Sequence, residues 1–162
     1  MSVSEKIIHE GMEEIKTYLK SKIPDTVFEV SNSNTIEYFL GERYNGKSLI
    51  VLLEFMGFPI SKIGKNSEVD FRFEPRISAQ VYASVMNNHK VNFIKASETL
   101  MLIAKYVAGY VTTNFGKLTI PDQDVIPIET YANTGNTAYK ISWGLPLEFR
   151  GLIKLKTNTI GD

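Results

Sequence analysis

The sequence predicts a single α+β domain built on a mainly antiparallel sheet of two long hairpins packed with two helices, and three features point to that class. Two stretches repeat apolar residues at three- and four-residue steps, as helices do. Four longer stretches alternate apolar with polar residues or run apolar residues together, as strands do. The four fall into two pairs, each joined by a polar connection that suits a hairpin, and with two short strands after the first helix the expected order is α-β-β-β-β-α-β-β. With 162 residues, 43% hydrophobic and 22% charged, the chain has the size and composition of one globular core. The expectation is one domain over 1–156 and a mobile tail over 157–162.

The leading helix is read over 4–21. Ser2 and Glu5 stand at capping-box spacing, and Val3, Ile7, Ile8, Met12, Ile15, Tyr18 and Leu19 mark one apolar face. Pro24 ends it, and the charges on its other face read as a solvated surface. A short strand follows at 27–30, then a polar turn at 31–34 and a second short extended stretch at 35–40. Asn45-Gly46 tolerates positive φ and reads as a turn. The run 48–58, with Leu49 through Leu53, Phe55 and Met56, reads as a central strand buried on much of both faces.

Residues 59–67 are rich in turn formers and lysine and read as a long hairpin loop. From Glu68 to Val85 the chain alternates, broken at Pro75. Proline cannot donate to a ladder, so Pro75 belongs at a bulge or where the strand leaves the main sheet as a projecting arm. The second helix is read over 92–114 from Phe93, Leu100, Ile103, Ala104, Val107 and Val111, with Asn114 and Gly116 as its stop and the first helix as its cover. A closing hairpin follows, 125–132 and 137–149 about the turn 133–136, with Tyr139, Ile141, Trp143, Leu145 and Leu147 on one face.

Eighteen basic residues balance eighteen acidic ones, so no global positive field drives binding to nucleic acid or anionic lipid. The absence of cysteine removes thiolate chemistry and fits a reducing compartment, and no secretory h-region or membrane-length apolar run is seen. Cytoplasmic residence is the expectation. His9 and His89 lack partners at metal spacing, and the pairs Glu68/Asp70 and Asp122/Asp124 read as solvated faces. The glycines form no phosphate-binding loop, and no G-x-S-x-G elbow occurs. The chain therefore reads as a binding protein with no catalytic centre, metal or cofactor. A competing expectation is a small enzyme or ligand-binding domain with a cleft between the second helix and the sheet, lined by Arg76, Glu54 or Tyr82.

Aromatics gather around the first long hairpin, where Phe55, Phe58, Phe71 and Phe73 fall close together. A hairpin extending past its sheet cannot bury such residues within its own domain, and uncovered aromatic patches mark protein interfaces. The candidate subunit or partner contacts are accordingly Phe58, Ile60, Lys62, Ile63, Lys65, Phe71, Phe73 and Arg150.

The layout of an amphipathic helix over 4–21, the strand pair 48–58 and 71–85, an apolar helix over 92–114 and the closing pair 125–132 and 139–149 resembles the phage tail terminator family, both its Mu-like group and its relatives in contractile injection systems. The likeness is one of pattern and length, without a signature motif. It implies a structural assembly protein that caps the tail tube as a homo-oligomeric ring, commonly hexameric. The implied partners are the tube protein and also sheath and neck proteins, with no membrane and no sequence-specific nucleic acid. Such a subunit is cytoplasmic during assembly and then part of the virion or phage-like particle. A neck, completion or baseplate subunit of such a particle shares the same small build.

Overall fold

The computed structural model describes residues 3–31, 49–63, 70–84, 89–134 and 137–156. In chain order the elements are α1 (Val3–Lys22), β1 (Phe28–Ser31), β2 (Leu49–Phe55), β3 (Ile60–Ile63), β4 (Asp70–Phe73), β5 (Arg76–Ser84), α2 (His89–Val107), β6 (Val111–Thr112), β7 (Gly116–Lys117), β8 (Ile128–Thr134), β9 (Thr137–Arg150) and β10 (Ile153–Lys156). The class is α+β, as expected. The capping residue Ser2, the short stretch 35–40, the turn 44–47, Lys65, Glu68, Val69, Val85 and the tail 157–162 lie outside the described residues, as do the side chains of Tyr139, Ile141 and Trp143.

Five strands form the main sheet in the order β1-β2-β5-β9-β8. Its centre is antiparallel, β2 on β5 and β5 on β9, and β8 and β9 close as a hairpin. β1 joins β2 in parallel. Alternation decides which face meets the helices. On β5, Ile77, Ala79, Val81 and Ala83 are buried, and their register partners Phe149, Leu147 and Leu145 on β9 share that core. Met12, Ile15 and Leu19 of α1 and Ala96, Ile103 and Val107 of α2 complete it. Each Val, Leu, Ile, Met or Phe side chain among them contributes about 1.5–3 kcal/mol on leaving water, which is why the helical stripes sit on the sheet.

The helices meet at Tyr18, whose hydroxyl donates to the Tyr106 carbonyl at 2.9 Å and whose ring stacks on Tyr110 at 3.6 Å. Phe115 is driven between elements, 1% exposed, and lies so close to α1 that a Cβ on Gly11 would fall 2.5 Å from its ring. A glycine inside a helix costs about 0.5–1 kcal/mol, and here it makes room for an aromatic ring.

The sequence reading is corrected in four places. The second helix spans His89–Val107 and does not reach residue 114: Gly109, at φ 82°, turns the chain, and residues 111–117 form the small β6–β7 hairpin. Val111 continued the apolar periodicity by chance of spacing and is 66% exposed. Residues 60–63 are a strand and not part of a loop, because Ile60–Ile63 pairs in register with β4. After Phe149, residues Ile153–Lys156 form a strand that the sequence reading did not include, β10, on the other side of β4.

A fourth correction concerns the proposed cleft. Glu54 and Tyr82 lie on the sheet face turned away from the helices, in register with Ser78 and Ile50, and Arg76 shares that face. They do not line a space between α2 and the sheet.

Candidate assembly surface

The three central strands do not stop at the rim of the main sheet. β2 leads into β3, β4 leads into β5, and β9 leads into β10, so a second sheet of order β10-β4-β3 extends the middle of the first. The expected point of departure, Pro75, is where β4 gives way to β5. Having no N–H to pair, it interrupts the ladder there, while its carbonyl accepts from the Gly151 N–H at 2.8 Å. The Met56 N–H donates to the Arg76 carbonyl and the Arg76 N–H to the Gly57 carbonyl, both at 2.8 Å. These bonds tie the arm to the body at its root.

Aromatic rings continue that link. Phe115 in the core stacks on Phe55 at 6.1 Å, Phe55 meets Phe58 at 6.2 Å, and Phe58 meets Phe73 edge-on at 5.7 Å. Edge and offset ring contacts add about 0.5–1.5 kcal/mol each beyond burial. The series starts fully buried at Phe115 and reaches the surface at Phe58, which is 43% exposed. Its neighbours Met56 and Ile60 are 52% and 58% exposed. An apolar stripe thus runs along the β3 side of an arm fixed at its base.

Charge fixes the root as well. Arg76 and Arg150 face each other across β5 and β9, and the Glu148 carboxylate accepts from both, at 2.5 Å from Arg76 Nε and 3.4 Å from Arg150 Nε. The hydrogen bond from Arg76 holds the Glu148 carboxyl below the usual carboxylate range, and the same bond raises Arg76. On the same face, burial pushes the Tyr82 hydroxyl up to about 12, with the Glu54 charge adding to it. The hydroxyl donates to Gln80 Oε1 at 2.5 Å.

Of the candidates read from sequence, Phe58 and Ile60 lie on the open stripe. Phe71 and Phe73 are half-buried on β4, the middle strand of the arm. Lys62 and Ile63 lie on β3, in register with Phe71 and Asp70, and their side chains are outside those described. Lys65 lies outside the described residues altogether. Arg150 sits at the root of the arm, engaged with Glu148.

Sequence reading missed Met56 as a surface residue, and it missed Ile126 and Ile128, which are 67% and 52% exposed beside Pro127 at the start of β8. The available signal was two isoleucines flanking a proline behind the acidic pair Asp122 and Asp124. Elsewhere, an open groove along α1 is lined by His9, Glu10, Glu13, Glu14, Tyr18 and Tyr110. Glu14 is already engaged there, accepting from the Thr113 N–H at 3.1 Å. Among the described residues no three His, Asp or Glu side chains gather as a metal site, and no helix is long and apolar enough to cross a membrane.

No family model matches the chain, and comparison with curated proteins finds no relative.

Proposed function

We propose that the chain is a structural assembly subunit of the tail-terminator kind, which caps the tube of a phage or contractile injection particle as a homo-oligomeric ring and contacts tube and sheath proteins. The observation that carries this reading is the arm. Met56, Phe58 and Ile60 keep an apolar stripe in water on a projection that is anchored to the core by ring contacts and by paired backbone bonds. The exposed part of a fixed apolar surface costs solubility and gains nothing from its own fold, so it favours a partner surface. The layout of elements that resembles tail terminators supplies the kind of partner.

The test is the mass of the purified protein by light scattering over a concentration series, with negative-stain images of any large species. Rings of subunits are the expected result, and they should bind the ends of tail tubes. A monomer at every concentration that also fails to bind tube ends would contradict the reading.

A further inference from the structure

A ring needs two different patches per subunit, one to give and one to receive, placed so that each copy can reach the next. The β3 stripe is one patch. Resting on the assembly reading above, we infer that the receiving patch is the segment 122–128 leading into β8, and that the β3 edge of one copy docks against this segment of a second copy.

Placement is the first argument. β3 is the outer strand of the arm and continues from β2, on the β1 side of the main sheet. The receiving segment lies on the other side, along the edge of β9 that faces away from β5. Thr119 and Arg150 exchange backbone hydrogen bonds at 2.8 Å, and the Gln123 side chain bonds the Glu148 backbone in both directions, at 2.6 and 2.8 Å. The two patches therefore occupy opposite edges of the subunit, the arrangement that head-to-tail contacts require.

Chemistry is the second. Both patches are apolar and uncovered: Met56, Phe58 and Ile60 on one, Ile126 and Ile128 on the other. Their charges are opposite. The docking strand β3 carries Lys62 and no acid, whereas Arg72 on β4 is already paired with Glu74 at 3.0 Å and Lys154 and Lys156 belong to β10 at the far edge of the arm. The segment 122–128 carries Asp122 and Asp124, both exposed, and no basic residue. Apolar contacts would supply affinity, and the charges would set the pairing and disfavour arm against arm.

Because the chain has no cysteine, single thiols can report the contact cleanly. Ile60→Cys and Ile126→Cys are placed in two separately tagged full-length chains and treated with a short bismaleimide, alone and mixed. The expected result is a covalent dimer in the mixture and its loss in either variant alone. Ile126→Asp should weaken self-association about tenfold or more while leaving the melting temperature unchanged. Cross-linking of Ile60→Cys with itself would show an arm-to-arm contact and overturn this inference while leaving assembly intact. Oligomers that form with no cross-link in any sample would do the same, whereas a chain that never associates, even on tube ends, would overturn the assembly reading as well.

Discussion

The body and the arm are built from the same three strands, yet they spend their apolar residues differently. In the body, Val51, Ile77, Val81 and Phe149 are fully buried beneath two helices. In the arm, a few residues farther along those strands, Phe58 and Ile60 stay open to water, 43% and 58% exposed. The contrast separates two uses of one pattern. Alternation in the body is satisfied within the chain, whereas in the arm it leaves Phe58 and Ile60 exposed.

The largest effects of mutation should fall on the body and on its junction with the arm. Phe115→Ala removes the ring that α1 accommodates at Gly11 and on which the aromatic series begins, and should cost about 3–5 kcal/mol, read by urea denaturation. Gly116→Ala combines a φ of 68° with a Cβ directed into the Leu152 carbonyl, and should cost roughly 1–3 kcal/mol in the same assay.

Tyr82 sharpens the comparison through pH. Its folded pKa, about 12, lies above its ordinary value of 10.0, so the folded state holds the proton more tightly than the unfolded state does. The resulting stability is fully present below pH 10 and is lost as pH rises toward 12, about 2–3 kcal/mol in all. Tyr82→Phe should flatten that alkaline fall. At the root of the arm the sign is reversed. Glu148, held low chiefly by the Arg76 hydrogen bond, contributes stability above the ordinary glutamate range and loses it as pH falls through its folded value. The partners are substantially exposed, so Glu148→Gln should change acid stability only slightly and should loosen the arm more than the body, as read by hydrogen exchange at β4 and β10.

Much of this architecture was legible in the sequence because local pattern and final packing agree. The alternation from Asp70 to Ser84 with its break at Pro75, and the apolar run of β2, needed nothing beyond period two to be read. The arm was legible for the same reason, since Phe58 and Phe73 fall where a strand leaves its sheet. What escaped was nonlocal. Ile153 and Leu155 of β10 make too short a pattern to announce a strand, and they form one by finding β4 eighty or more residues away. The stop of α2 was missed because Val111 keeps the helical interval after Gly109 has already turned the chain. The stretch at Ile126 and Ile128 reads as the start of a strand, and its exposure depends on where the edge of the main sheet falls.

If the arm is a surface for association and not a prop for the fold, Met56→Ser/Ile60→Ser, at two exposed positions outside the ring series, tests this most directly when thermal unfolding and sedimentation are measured on the same sample. The expected result is a small loss of stability, about 1 kcal/mol or less, with loss of the oligomer. A double variant that unfolds far more readily, or that assembles as the parent does, would contradict it.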